Sequence, residues 1–114
     1  MTPNPEQFIP LTHVAYHVLL ALTDQPRHGY GIIKHVEERT NGRLELEAGT
    51  LYAAIKRMRD DTLITETKAP SGTDSRRRYY GLTPFGERVL RAESLRLAEL
   101  VALARDAQVI PPGA

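Results

Sequence analysis

Apolar positions along this chain switch between helical and alternating spacing, and the switches divide it into elements. Over residues 10–24, Leu11, Val14, Val18 and Leu22 recur at intervals of three and four, and Ala15, Leu19 and Ala21 widen the same face. That spacing predicts a well-buried helix, stopped by Gln25 and Pro26. A second helix is predicted over 30–40, with Ile32, Ile33 and Val36 inward and Lys34, Glu37, Glu38 and Arg39 outward. Asn41-Gly42 ends it with residues that tolerate a left-handed turn. Leu44 and Leu46 then alternate with Glu45 and Glu47, enough for a very short strand able to pair with a later ribbon.

Residues 44–83 are the stretch around which the rest is organised. A third helix enters near Gly49 and Thr50, with Leu51, Ile55 and Met58 on one face and Lys56, Arg57 and Arg59 around the remainder. Leu-Ile-Thr-Glu-Thr over 63–67 has strand character. Dense turn residues fill 70–75, and 76–80 return as a second strand. Alternation there puts Arg76 and Arg78 on one face and Arg77 on the other, and only one of Tyr79 and Tyr80 in the core. Thr83-Pro84 opens a last helix over 84–107, a cap followed by proline at the first helical position.

At 100° per residue, Phe85, Val89, Leu90, Ala92, Leu97, Leu100, Val101, Leu103 and Ala104 cover about half the circumference of that helix. A helix packed on one neighbour needs a stripe little more than about 100° wide. The surplus predicts a helix shared between its own domain and a second copy, with Val89, Leu90, Leu97, Leu100, Val101 and Ala104 at the dimer interface. Glu93 and Arg96 fall inside the apolar arc, three residues apart and able to pair. The fold class expected is mainly α with a small β-wing: a winged helix-turn-helix plus a C-terminal dimerisation helix. Residues 1–9 are expected to form a loose N-terminal arm, 10–83 the winged domain, 84–107 the dimerisation helix and 108–114 a tail.

Composition narrows this further. The 114 residues suit one domain, and 41% hydrophobic with 25% charged residues is ordinary for a soluble protein. No apolar run approaches the ~20 residues of a membrane span, and with no cysteine the expectation is a cytoplasmic protein without disulfides. The formal charge of +1 is unevenly spread. Residues 1–50 hold four Lys/Arg against six Asp/Glu, 51–80 hold seven against four, and 81–114 hold four of each. The positive excess sits on the segment proposed to meet phosphate, which points to double-stranded DNA; a homodimer doubles that footprint.

The candidate DNA-binding residues are Tyr30, Thr50, Tyr52, Lys56, Arg57, Arg76, Arg77 and Arg78. Thr50 and Tyr52 at a helix N-terminus can bond phosphate, although Tyr52 could equally pack its ring under the wing. Lys56 and Arg57 can reach base edges, where Arg or Lys bonding to guanine is the common pairing. Three consecutive arginines can instead be a solvated edge that discourages strand aggregation. His13 and His17 have the spacing of two metal ligands on one helix face, but no third ligand lies near in sequence, so neither metal nor other cofactor is expected. There is no cysteine nucleophile, G-x-S-x-G elbow or phosphate-cradling glycine loop, so no enzyme is expected.

The chain resembles the PadR family of bacterial transcriptional regulators over about residues 14–104. The resemblance is carried by His28-Gly29-Tyr30-Gly31-Ile32, Gly49-Thr50-Leu51-Tyr52, Leu63-Ile64, Arg78-Tyr79-Tyr80, Leu82-Thr83 and Gly86. It implies a repressor that binds a palindromic operator as a homodimer and is released by a small molecule. A small hydrophobic effector would then lie between the two last helices and helix one. The alternative is a winged-helix protein-interaction module without DNA binding. Three departures stand out. Ala53 replaces a common proline, and Thr62 replaces a common glycine, which predicts a differently built turn because β-branched residues resist the left-handed region. No tryptophan is present to sandwich a ligand on the last helix.

Overall fold

The computed structural model describes residues 3–113. It is mainly helical, with one small antiparallel sheet. The expected loose arm is instead ordered over the residues described. Pro5–Phe8 forms a single 3-10 turn capped by Asn4, and Phe8 packs edge-on against Phe85 with ring centroids 5.4 Å apart. An aromatic side chain with a buried partner is enough to tie down a terminal segment.

Helix α1 (His13–Ala21) is shorter than its apolar pattern predicts, because Thr12 caps it by accepting from the Ala15 N–H. Its far end is closed by Arg27, whose Nε donates to the Ala21 carbonyl at 2.7 Å. A two-residue strand β1 (Arg27–His28) leads into α2 (Gly29–Arg39), and α3 spans Ala48–Asp60. Gly49 and Thr50 therefore lie inside the first turn of α3, and Glu47 occupies the cap without a side-chain bond. The wing strands are β2 (Ile64–Thr67) and β3 (Tyr79–Leu82), followed by α4 (Pro84–Asp106) with Thr83 as its cap and Pro84 in the first turn.

The sheet order is β1-β3-β2. Leu44 and Leu46 form no strand, since both edges of β3 are already taken by β2 and β1. Leu46 is buried in the core as part of an extended link. The return strand starts at Tyr79 rather than Arg76 because Asp74 accepts from the Arg76 N–H and side chain, bending the chain there. The three arginines consequently belong to a loop, and strand alternation does not sort them. Both tyrosines are buried, on opposite sides of the strand as alternation predicts. Tyr80 joins the core, while Tyr79 is covered on the other side by the His28 ring, 5.2 Å away and edge-on.

Core residues come from every helix: Val18 and Leu19 of α1, Ile32 and Val36 of α2, Leu51, Ile55 and Met58 of α3, Val89 and Leu90 of α4. The helix-ending turn at Thr62 keeps the geometry a glycine would adopt. Thr62 has φ of 59°, the Leu63 N–H bonds the Met58 carbonyl, and the Thr62 N–H bonds the Arg59 carbonyl. That is a Schellman closure, so the expected change of turn does not occur. Asn41, with φ of 54°, closes α2 in the same way.

Val89 and Leu90 lie in their own protomer's core at 0% and 6% exposure, which removes them from any dimer interface. Glu93 is also buried, but it is partnered. One carboxylate oxygen accepts from the Leu11 N–H at 2.6 Å and the other from Arg96 Nε. The Arg96 guanidinium holds the carboxyl below its ordinary range against the opposing effect of burial, and the Leu11 amide adds to this. Beyond it Leu97 and Ala104 are half-buried, and Leu100 and Val101 are exposed.

Candidate nucleic-acid interface

The outer face of α3 is its least obstructed surface. Leu51, Ile55 and Met58 turn inward, so Gly49, Ala53, Lys56 and Asp60 point away from the core. Tyr52 lies on the flank nearest the wing, and Thr50 and Arg57 lie on the other. A helix presented this way, with a basic loop beside it, has the shape that docks into a major groove.

The flank with Tyr52 is built from three elements. His28, Gly29, Tyr30, Tyr52, Arg77, Arg78 and Tyr80 line one cleft of about 310 Å³. A Cβ at Gly29 would lie 2.4 Å from the Tyr52 hydroxyl, so glycine there lets that phenol lie across the start of α2 without shifting. Tyr30 and Tyr52 are 56% and 51% exposed. Tyr52 thus lies against the start of α2 while half of the residue stays exposed.

His28 is the residue the sequence reading missed. Its Nδ1 accepts from the Gly31 N–H at 2.9 Å and caps α2. Its ring stacks on Tyr30 at 6.4 Å, and Arg77 Nη1 approaches it at 3.3 Å while the guanidinium carbon lies 5.7 Å from the Tyr30 ring centre. Burial and the neighbouring Arg77 charge lower the His28 pKa, which keeps Nδ1 free as an acceptor. The one available signal was its place immediately before the two glycines that open α2.

The other basic residues scatter around this centre. Lys56 is exposed and reaches Asp60 at 3.4 Å. Arg76 is turned onto Asp74, whose carboxyl it holds below the ordinary range, with Arg77 also 3.6 Å from Asp74. Arg78 and Arg59 share Glu66, at 4.0 and 3.9 Å. Arg57 stands apart on the opposite flank of α3, beside Leu11 and Ala15. Of the eight candidates, Tyr30, Tyr52, Arg77 and Arg78 converge, Lys56 adjoins them, and Thr50, Arg57 and Arg76 do not. His13 and His17 meet edge to face at 4.6 Å, and the His17 ring also meets that of Tyr16 at 6.2 Å. Among the described residues no group of three His, Cys, Asp or Glu is placed to hold a metal, and no helix is long and apolar enough to cross a membrane.

Comparison with known proteins bears on this arrangement. The model of the transcriptional regulator PadR-like family matches residues 18–92. A PadR family transcription regulator from Clostridium difficile is 25% identical and superposes with a TM-score of 0.71 over 84% of this chain and 98% of its own. Bacillus subtilis PadR, solved in complex with operator DNA, has a similar fold at a TM-score of 0.62. It is 24% identical over 73% of this chain and 46% of its own. An uncharacterized 37.1 kDa protein of a Streptomyces fradiae transposon is 36% identical over 73% of this chain, which spans only 22% of that relative's length.

Proposed function

Since the chain belongs to the PadR-like family of transcriptional regulators, we propose that it is a homodimeric repressor of a palindromic operator, released by a small-molecule effector. The observation carrying this reading is the convergence of Tyr30, Tyr52, Arg77 and Arg78 on one flank of an exposed α3. In the proposed complex α3 enters the major groove with Lys56 foremost. Arg77 and Arg78 grip the adjoining backbone, and the two tyrosine hydroxyls bond phosphate. The operator-bound state of Bacillus subtilis PadR supports the choice of partner.

Each arginine of the loop already has a carboxylate or a ring beside it. Exposed ion pairs of this kind contribute little, typically below about 1 kcal/mol. They orient the guanidinium groups at small energetic cost and yield to a phosphate. Arg77 is the best placed, because stacking on Tyr30 and contact with His28 limit its rotamers before DNA arrives.

Dimerisation uses the outer part of α4, where Leu97, Leu100, Val101 and Ala104 continue the apolar stripe beyond the protomer's core. Two recognition helices related by that contact should meet half-sites about one helical turn, ~34 Å, apart. The test is fluorescence anisotropy with the gene's own upstream region across a salt series. Losing one phosphate contact lowers the salt slope by about one, so Arg77→Ala should lower the dimer's slope by about two and weaken binding at every salt concentration. Unchanged affinity and slope would remove the wing from the proposed interface; no binding by the wild type would leave the docking-module alternative.

A further inference from the structure

The His28 ring links the start of α2 to the loop before β3. Its Nδ1 accepts from the Gly31 N–H at 2.9 Å. A nitrogen that accepts carries no hydrogen, so the one proton of the neutral ring sits on Nε2. Arg77 Nη1 lies 3.3 and 3.4 Å from the two ring nitrogens, evenly between them. With Nδ1 taken and Nε2 a donor, Arg77 meets the ring itself and not a spare lone pair. Tyr30 stacks on His28 with the planes 13° apart, and the guanidinium carbon lies 5.7 Å from the Tyr30 ring centre. Tyr79 closes another side of His28 edge-on at 5.2 Å. Arg77 therefore rests against two rings with its side chain still 46% exposed.

We propose that His28 is a positioning residue of the DNA interface: its neutral ring holds Arg77 against Tyr30, and protonation releases the arginine and weakens operator binding. The inference rests on the regulator reading above. A proton gained by His28 has only Nδ1 to go to. There it turns an acceptor into a donor facing the Gly31 N–H, and it sets a second cation against Arg77, so the cap and the arginine contact fail together. The charged and titratable groups around the ring are Arg77, Arg78 and Asp74 of the loop, Tyr30 and Lys34 of α2, Tyr52 of α3 and Tyr79 of β3. Of these only Asp74 is negative, and it already accepts from Arg76 and lies 3.6 Å from Arg77. Burial and Arg77 hold the His28 pKa below its ordinary value against the pull of Asp74, so the ring is neutral and the arginine held at neutral pH. The sign is diagnostic. A phosphate attracts a proton, so a histidine that merely faced DNA would tighten binding on acidification. This geometry makes acidification loosen it.

The experiment measures affinity for the gene's own upstream region from about pH 7.5 to about pH 5 at constant salt. In parallel, NMR follows the His28 ring and the Arg77 Nε–H of the full chain without DNA. The wild type should lose affinity about fivefold or more over that range, and the His28 and Arg77 signals should move at one midpoint below the ordinary 6.5. His28→Asn keeps an acceptor at the cap position but has neither a ring for Arg77 nor a proton to gain. It should bind at every pH about as weakly as the acidified wild type. Arg77→Ala should lose the same pH response although His28 is intact, because His28 acts through the arginine. That comparison and the NMR titration decide the matter even if His28→Asn fails to fold. Affinity that holds or rises on acidification, a response that survives in Arg77→Ala, or an Arg77 signal indifferent to the His28 titration would overturn the proposal. A wild type that binds no operator at any pH sinks the regulator reading instead, which the paired titration does not depend on.

Discussion

The inner and outer halves of α4 carry the same apolar rhythm, yet they end in different surroundings. Up to residue 93 the stripe is covered by the protomer itself, with Val89 fully buried and Gly86 against the Leu63 carbonyl. From residue 95 onward Leu95, Leu100 and Leu103 are 60%, 47% and 63% exposed. Spacing tells which side of a helix is apolar; it carries no information about what lies opposite. Glu93 and Ser94 mark the boundary, where α4 side chains hydrogen-bond Leu11 and Tyr16 of the N-terminal part of the chain.

Placing the same charge in each half separates the two most strongly. Val89→Asp buries a carboxylate among Val18, Leu19 and their neighbours, a cost of about 3–5 kcal/mol that consumes much of a typical domain's stability. Urea denaturation should show it largely unfolded. Leu100→Asp should leave protomer stability within about 0.5 kcal/mol while light scattering reports a monomer. A dimer surviving Leu100→Asp would mean that the outer half is not the interface.

Removing a boundary residue comes next. Glu93→Ala leaves the Leu11 N–H without its acceptor, and should cost about 1–3 kcal/mol in denaturant unfolding. The same carboxylate also sets a pH dependence. Its folded pKa is held below the ordinary 4.5. The stability it contributes is therefore complete above that value and lost as pH falls through the lower, folded one. Glu93→Gln should flatten the acid side of the stability curve, and an unchanged acid limb would show that Glu93 is not its source.

The smallest effect concerns the turn that positions β2. Thr62 holds a left-handed conformation that costs a β-branched residue about 1–2 kcal/mol, partly offset by the entropy glycine would lose. Thr62→Gly should raise stability by about 0.5 kcal/mol in thermal unfolding. A fall instead would mean that the Thr62 hydroxyl bond to the Asp61 carbonyl outweighs the strain.

The interface shows the same division as α4. Residue types alone drew attention to the tyrosines and the arginine run, since few other groups bond phosphate. They did not show that Arg57 belongs to the far flank, that Arg76 is occupied by Asp74, or that His28 joins α2 to the loop. Those facts depend on where β3 begins, and Asp74 decides that by bending the chain before Tyr79.

What the chain determined locally was the order of the four α-helices among the described residues, their apolar faces, the caps at Thr83 and Asn41, and the existence of a wing. Each follows from interactions within a few residues, where spacing and side-chain chemistry act directly. Tertiary structure decided that Arg27 and His28, not Leu44 and Leu46, supply the third strand. It also decided that Tyr79 and Tyr80 are both covered, and that much of α4 beyond Ser94 is exposed. Such outcomes turn on which surfaces meet across distant parts of the chain, and a partner dozens of residues away leaves no mark on the local pattern.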